Sequence, residues 1–231
     1  MLDISRIKAI SLDLDDTLWP IWPTIARAET RLQEWLRPHA PATAQLFSSG
    51  EQRQDLRAQV DARWPERHHD LSFMRHEMIR LGLERNGEDQ ALADAAFEVF
   101  FAARQEVPLF DDAHASLAAL SARWPVLALS NGNADVQRIG LGHYFCASVS
   151  ARDAGAAKPD LRIFALAAQR LQLAPEDILH VGDDAHMDVL GALQAGMQTA
   201  WINRSSQVWS LEAQPHASVA SMAELCRVLL V

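Results

Sequence analysis

The stretch that organises this chain follows a short apolar segment and reads Leu12-Asp13-Leu14-Asp15-Asp16-Thr17-Leu18. It places three carboxylates within four residues, and every second residue from Ile10 to Leu14 is apolar. An alternation with a period of two is typical of a β-strand. Because open α/β sheets bind ligands at the carboxyl edge of their strands, the stretch predicts a charged site at such an edge. A solvated acidic turn is the alternative that this stretch alone leaves open.

Beyond Val107, short apolar runs alternate with helical patterns. A short helix is predicted over 134–139, and strands are predicted over 126–129, 146–149, 178–181 and 199–202. Strands that alternate with helices are joined by right-handed crossovers into a mostly parallel sheet. The sequence therefore predicts an α/β fold, namely a Rossmann-like parallel sheet flanked by helices.

The residues between the first strand and this alternating region carry helical patterns and no convincing strand. Asp70 is a candidate N-cap for a helix that the pattern ends at Gly82. We therefore expect an all-α domain over 19–104, inserted into a core that is discontinuous in sequence and comprises 1–18 and 105–231.

Composition narrows the classes of function. Apolar residues make up 49% of the 231 residues, and the formal net charge is −9, without a block of basic residues. An acidic chain of this kind is not expected to bind nucleic acid or an anionic membrane. The two cysteines, Cys146 and Cys226, give no disulfide framework, and the first residues lack the pattern of a signal peptide. We expect a cytoplasmic protein, as a monomer or a homodimer, without a membrane segment.

Polar residues follow several predicted strands, and a cation lies in a turn-like segment: Asp13, Asp15, Ser130, Asn131, Lys158, Asp183, Asp184 and Asp188. Strand ends of a parallel sheet lie side by side, so these residues are expected to share one crevice. Crowded carboxylates raise each other's pKa, and a divalent cation relieves this repulsion. Oxygen ligands favour Mg²⁺, and the Lys, Ser and Asn side chains would then hold phosphate oxygens.

A carboxylate beside Mg²⁺ can attack phosphorus and form an aspartyl-phosphate. A second carboxylate two residues along a strand would face the other side of the sheet. Asp15 can therefore serve the same site only if it lies at or past the end of the strand. There it would protonate the leaving alcohol as a general acid and activate the hydrolytic water as a general base.

Four motifs in this order resemble those of the haloacid dehalogenase superfamily of Mg²⁺-dependent phosphohydrolases. They are Asp13-Leu14-Asp15-Asp16-Thr17-Leu18, Ser130-Asn131, Lys158-Pro159-Asp160 and Gly182-Asp183-Asp184-Ala185-His186-Met187-Asp188. The resemblance covers the whole chain, and the helical insert is similar to the α-helical cap of one subclass. It implies a phosphatase whose cofactor is Mg²⁺ and whose partner is a small phosphorylated metabolite.

The resemblance also implies roles for the acidic residues. Asp13 would be the nucleophile and a metal ligand. Asp15 would be the general acid and base, with its main-chain carbonyl on the metal. Asp183 would ligate the metal, and Asp188 or Asp184 would act through water or hydrogen bonds.

A second group of residues is expected at the phosphate. The resemblance implies that Thr17 and Ser130 bind phosphate, together with main-chain amides near Asn131 and Gly132. Lys158 would stabilise the aspartyl-phosphate. These residues complete the set that the family's motifs assign to the site.

A narrower likeness is to bacterial phosphatases of riboflavin metabolism, carried by 129–134, 140–145 and 178–184. It implies flavin mononucleotide or the ribitylaminouracil phosphate of riboflavin synthesis as substrate. Sugar-phosphate and nucleotide phosphatases remain alternatives, as does a 2-haloacid dehalogenase, against which Asp15 argues because halide needs no acid to leave. A receiver-like signalling module is the non-enzymatic alternative, and such modules carry no large helical insert after the first strand.

Overall fold

The computed structural model describes Met1 to Leu230. Over these residues the chain divides into two compact units. The first comprises Met1–Pro20 together with the chain from Pro108 onward, and the second comprises Ile21–Val107.

Within the described residues of the first unit, the strands form one six-stranded parallel sheet. The strands are β1 (Ala9–Leu12), β2 (Val126–Ser130), β3 (Ala147–Ser150), β4 (Ile178–Gly182), β5 (Gln198–Ile202) and β6 (Ala217–Val219). Their order across the sheet is β3-β2-β1-β4-β5-β6. The predicted α/β fold with a parallel sheet is confirmed. The strand β6 was not predicted, because three residues at a sheet edge carry no periodic pattern.

Strand β1 lies in the middle of the sheet, between β2 and β4. Leu12 pairs with Ala128 on one side and with Val181 on the other. All four residues of β1 are buried, as in a parallel strand that is covered on both faces. The predicted alternation therefore does not distinguish a solvent-exposed face of the strand from a buried one. The strand ends at Leu12, so Asp13 and Asp15 both lie past it.

The second unit is all helical within its described residues. Its helices are α1 (Ile21–His39), α2 (Pro41–Ser48), α3 (Gly50–Arg63), α4 (Leu71–Arg85) and α5 (Ala93–Arg104). Asp70 caps α4 by accepting from the Phe73 N–H, as predicted. The helix does not end at Gly82, and that prediction is wrong. A Cβ at Gly82 would lie only 3.2 Å from side-chain atoms of Phe47 and Thr43, so the glycine allows close helix packing rather than ending the helix.

Helices of the first unit cover its sheet. They are α6 (Ala113–Ser121), α7 (Ala151–Ala154), α8 (Leu161–Leu171), α9 (Gly191–Gln194) and α10 (Met222–Leu229), with a π-helical turn over Ala185–Leu190. The predicted helix over 134–139 is wrong, because this segment forms turns. The Asp135 side chain accepts from the Gln137 N–H at 2.9 Å, and this local bond competes with a helix. Among the described residues, no helix combines the length and apolar character that crossing a membrane requires.

We expect Gly191→Ala to destabilise the first unit. A Cβ at Gly191 would lie 2.7 Å from Cε2 of Phe164 and 3.0 Å from the Cα of Pro159, so it would overpack the core. Overpacking lowers the free energy of unfolding by about 1–3 kcal/mol, and the better helix propensity of alanine offsets up to ~1 kcal/mol of this loss. Thermal unfolding of Gly50→Ala is the control, since the nearest atom to its Cβ would be 3.9 Å away. An unchanged or higher Tm for Gly191→Ala would contradict this packing argument.

Candidate active site

The chain turns sharply directly after β1. The Asp13 N–H still donates to the Val181 carbonyl at 2.9 Å, as if the strand continued, but the Leu18 N–H donates back to the Leu14 carbonyl at 2.8 Å. Asp16 has a φ of 60°, a left-handed conformation that Asp tolerates better than most residues. This turn brings the first acidic motif to the carboxyl edge of the sheet.

Lys158 joins two carboxylates in a buried cluster. Its Nζ lies 2.5 Å from Oδ1 of Asp13 and 2.6 Å from Oδ1 of Asp188, and it donates to the Leu129 carbonyl at 3.1 Å. The three charged residues are at most 6% exposed. A Lys side chain with three acceptors has all its donors in use, so its position is well defined.

The charges of this cluster depend on one another. Burial raises the pKa of Asp13 well above its usual value, and Lys158 opposes this shift. Burial alone would lower the pKa of Lys158, but the carboxylates of Asp13 and Asp188 outweigh it and raise that pKa. Burial likewise acts to raise the pKa of Asp188, and Lys158 together with a hydrogen bond from His180 brings it below its usual value. Lys158 is therefore a cation at neutral pH.

Asp13, Asp183 and Asp188 form an acidic triad whose carboxylate oxygens lie within 4.8 Å of one another. The Thr17 hydroxyl lies between two of them, with Oγ1 at 3.1 Å from Oδ2 of Asp13 and 3.2 Å from Oδ1 of Asp183. Burial, followed by the charges of Asp188 and Asp16, raises the pKa of Asp183 to about 7. Burial and mutual repulsion together raise the pKa values of Asp13 and Asp183, and a divalent metal ion bound to such a buried carboxylate set would offset both effects.

Asp188 also accepts hydrogen bonds from residues outside the triad. Its Oδ1 also lies 3.2 Å from Nε2 of His180, and its Oδ2 accepts from the Asp184 N–H at 3.0 Å. A carboxylate only accepts, so Nε2 of His180 carries the hydrogen, and Nδ1 accepts from the Ser11 hydroxyl at 2.8 Å. A Cβ at Gly182 would overlap the Asp188 carboxylate, which explains the glycine before Asp183.

Asp184 and Asp188 lie in different surroundings. The Asp184 carboxylate caps the π-helical turn, with Oδ1 accepting from the N–H groups of His186 and Met187 at 2.8 and 2.7 Å. Of these two acidic residues, the structure therefore brings Asp188 into the triad and leaves Asp184 outside it.

Asp15 lies outside the acidic triad. Its Oδ1 accepts from the indole Nε1 of Trp19 at 2.8 Å, and the Trp19 side chain is fully buried. The sequence pattern did not reveal this partner, although an i to i+4 pair at a sharp turn is within reach. The hydrogen bond from the indole therefore fixes the orientation of the Asp15 carboxyl group.

The second motif is arranged around Lys158. Ser130 ends β2, and its hydroxyl accepts from the Gly132 N–H at 2.9 Å. The Asn131 carboxamide pairs with the main chain of Lys158, accepting from its N–H at 2.6 Å and donating to its carbonyl at 3.1 Å. The Asn131 side chain therefore positions the lysine, a contact that no motif in the sequence predicts.

The fold and this site define a class of protein. The family model of haloacid dehalogenase-like hydrolases matches residues 7–196. The chain belongs to this family, and it is an enzyme of the hydrolase class. The predicted family is confirmed.

Individual relatives are similar over most of the chain. It is 34% identical to 5-amino-6-(5-phospho-D-ribitylamino)uracil phosphatase YigB of Escherichia coli (strain K12), with 98% of each chain covered. It is 35% identical to phosphoserine phosphatase of Thermus thermophilus, over 65% of this chain and 63% of that one. Among solved structures, a 2-haloacid dehalogenase from Pseudomonas syringae pv. Tomato DC3000 is 35% identical, with a TM-score of 0.92 and coverage of 97% and 98%.

Proposed function

We propose that this protein is a Mg²⁺-dependent phosphomonoester hydrolase that forms an aspartyl-phosphate on Asp13. Its proposed substrate is 5-amino-6-(5-phospho-D-ribitylamino)uracil, the compound named for the relative from Escherichia coli. The observation that carries the chemistry is the buried Asp13 carboxylate, paired at 2.5 Å with Lys158 and adjacent to Asp183.

The residues present fit the metal. Asp13 and Asp183 offer carboxylate oxygens with the Thr17 hydroxyl between them, and both carboxyl groups have raised pKa values. Mg²⁺ suits such oxygen ligands, and when bound it neutralises charge on the phosphate and on the carboxylates. Asp188 is buried and has three hydrogen-bond partners, Lys158, His180 and the Asp184 N–H, which supports a role in holding Lys158 rather than in direct ligation. The main-chain carbonyl of Asp15 completes the proposed ligands.

The first step uses two carboxyl groups of the chain. An oxygen of Asp13 attacks phosphorus, and the bond between phosphorus and the ester oxygen breaks. Asp15 gives its proton to the leaving alcohol, so the alcohol departs neutral. The hydrogen bond from Trp19 holds Asp15 for this transfer.

The second step returns the enzyme to its starting state. The Asp15 carboxylate removes a proton from water, which attacks the phosphorus of the aspartyl-phosphate. Inorganic phosphate leaves, the Asp13 carboxylate is regenerated, and Asp15 again holds a proton. Lys158 stabilises the negative charge of the phosphoryl group, while Thr17, Ser130 and the main-chain amides near Asn131 and Gly132 bind its oxygens.

A dehalogenase is the second candidate, because the structure of 35% identity from Pseudomonas syringae carries that name. Both reactions need a nucleophilic carboxylate, and Asp13 could serve either. Halide leaves without a proton, whereas an alkoxide requires one. The carboxyl group of Asp15, held by a fully buried tryptophan, therefore supports phosphoryl transfer.

One assay separates these activities. We expect Mg²⁺-dependent phosphate release with the highest kcat/KM on 5-amino-6-(5-phospho-D-ribitylamino)uracil, compared with flavin mononucleotide, sugar phosphates and nucleotides. Chelation of the metal should abolish the release, and added Mg²⁺ should restore it. Halide release from 2-haloacids in the same preparation, without phosphate release, would establish the dehalogenase instead. A higher kcat/KM on a sugar phosphate or a nucleotide would contradict the proposed substrate.

The cellular compartment and the binding partner are part of the same proposal. Both cysteines, Cys146 and Cys226, are free thiols, which supports a reducing compartment such as the cytoplasm. The proposed partner is a small phosphorylated metabolite, and the helical unit of residues 21–107 is proposed to act as the cap that selects it.

A further inference from the structure

Two side chains from the end of β5 reach the two segments that carry the metal-binding carboxylates. The indole Nε1 of Trp201 donates to the main-chain carbonyl of Asp183 at 2.6 Å. Arg204, just after β5, donates to the main-chain carbonyl of Thr17 from Nη2 at 3.0 Å and from Nε at 3.3 Å. The chemistry described above uses neither side chain.

Arg204 is itself held in place. Its Nη2 also donates to Oδ1 of Asp112 at 3.0 Å, and its guanidinium lies 4.0 Å from the centroid of the Phe110 ring. The Phe110 N–H in turn donates to the carbonyl of Leu18, next to Thr17, at 2.9 Å. A planar guanidinium fixed by an ion pair and a ring presents its N–H groups in one direction, so it defines the position of the carbonyl that it binds.

Trp201 is equally constrained. It is 3% exposed, it pairs with Gly182 across the β4–β5 ladder, and its ring packs edge-on against Trp209 at 4.9 Å between centroids. Its hydrogen bond therefore ties the Asp183 carbonyl to the sheet.

The hydrogen bonds from Trp201 and Arg204 affect the distance between the carboxylates of Asp13 and Asp183. The Thr17 hydroxyl contacts both Asp13 and Asp183, so a shift of the Thr17 main chain relative to Asp183 would break one of the two contacts. Residues bonded to metal-binding segments commonly tune metal affinity without touching the metal. Mg²⁺ requires nearly ideal octahedral geometry, so it is sensitive to such shifts.

We propose that Trp201 and Arg204 are positioning residues, which together set the distance between Asp13 and Asp183 and thereby the affinity of the site for Mg²⁺. The proposal rests on the proposed function in that these carboxylates hold the metal. Neither residue binds substrate or transfers a proton.

The test compares two variants of these residues with two matched controls. Trp201→Phe removes the indole N–H and keeps an aromatic ring. Arg204→Lys keeps the positive charge facing Asp112 but loses the paired hydrogen bonds that the guanidinium donates to the Thr17 carbonyl. Trp124 and Arg123 make the same kinds of contact away from the site. The indole of Trp124 donates to the Ile7 carbonyl at 3.0 Å, and Arg123 donates to the Leu229 carbonyl at 3.3 Å with its guanidinium 4.7 Å from the Trp124 ring. The controls are therefore Trp124→Phe and Arg123→Lys.

Mg²⁺ binding to each substrate-free variant is measured by titration calorimetry, followed by kcat, KM and Tm. We expect Trp201→Phe and Arg204→Lys each to weaken Mg²⁺ binding by about 10-fold and to lower kcat by a similar factor at Mg²⁺ concentrations well below the wild-type Kd. KM for the phosphomonoester should stay within about twofold, because uniform binding of substrate is unchanged. The controls should shift Tm at most, with wild-type Mg²⁺ binding and kcat.

Unchanged Mg²⁺ binding in Trp201→Phe and Arg204→Lys would overturn the proposal. The proposal would also fail if the control variants lost as much Mg²⁺ affinity as the site variants at an equal drop in Tm. The two site variants are independent, so either one that folds decides the question. A wild-type protein that binds Mg²⁺ but releases no phosphate from any ester would contradict the proposed function alone, and the calorimetric comparison would still decide the positioning role. A wild-type protein that binds no Mg²⁺ would overturn the positioning role as well.

Discussion

Asp13→Asn should abolish turnover while the protein stays folded. The amide has the shape of the carboxylate but is not a nucleophile toward phosphorus, so no aspartyl-phosphate can form. We expect kcat to fall by roughly six orders of magnitude, as when the nucleophile of another covalent enzyme is removed. Phosphate release under saturating Mg²⁺ and substrate is the measurement, with the Tm and circular dichroism recorded on the same sample.

The fold should tolerate this change for an electrostatic reason. Burial raises the pKa of Asp13, so its charged form is held at a cost in the absence of metal. Asparagine removes that cost, and Lys158 keeps Asp188 as a partner at 2.6 Å. Loss of the ion pair with Lys158 and relief of the cost of burying the Asp13 charge thus act in opposite directions on the free energy of unfolding.

Asp184→Asn is the matched control for Asp13→Asn. It also replaces a carboxylate by an amide in an acidic motif, but Asp184 caps a helical turn, and asparagine caps as well as aspartate. We expect kcat within about threefold of the wild type, since a capping change leaves transition-state contacts intact. Full activity in Asp13→Asn would show that another residue is the nucleophile.

The residues of the site were predictable where the fold itself brings them together. Asp13 and Asp183 directly follow β1 and β4, Ser130 is the last residue of β2, and β2, β1 and β4 are neighbours in one parallel sheet. Their convergence therefore follows from topology alone. Lys158 lies in a loop, and its place in the site rested on the motif rather than on topology.

Other features depend on loop conformation, which no spacing encodes. Arg204 binds the carbonyl of Thr17 across 187 positions of sequence, and Asn131 binds the main chain of Lys158. Such bonds exist only once the loops have taken their shape. The helix through Gly82 illustrates the same limit, because the close approach of Phe47 overrides the usual meaning of a glycine.

Replacing the buried cation should have the second large effect, on stability as well as on activity. In Lys158→Met, the carboxylates of Asp13 and Asp188 lose a partner that lies within 2.6 Å of both. Leaving buried charges without their partner costs about 3–5 kcal/mol in the free energy of unfolding. We expect kcat to fall by about 10³-fold, because the phosphoryl group loses its buried cation. Denaturant unfolding and phosphate release measure the two effects.

A second substitution separates stability from catalysis. Lys158→Met with Asp188→Asn removes one of the two orphaned carboxylates, so the double variant should regain part of the lost stability. Its kcat should remain as low as that of Lys158→Met, since the cation is still absent. Recovery of activity in the double variant would show that Lys158 serves only to neutralise Asp188.

The pH dependence of Lys158→Met provides the sharpest check, because its sign follows from the carboxylates. Burial already holds the pKa of Asp13 above its usual value of 3.8, and loss of Lys158 removes the main opposing charge. A carboxyl group whose pKa is higher in the folded state stabilises the fold fully below the unfolded pKa and loses this contribution as the pH rises through the folded pKa. Metal-free Lys158→Met should therefore lose stability from about pH 4 toward neutral pH more steeply than the wild type. Equal slopes for the two proteins would mean that Lys158 does not balance the charge of Asp13, and the proposed electrostatics of the site would fail.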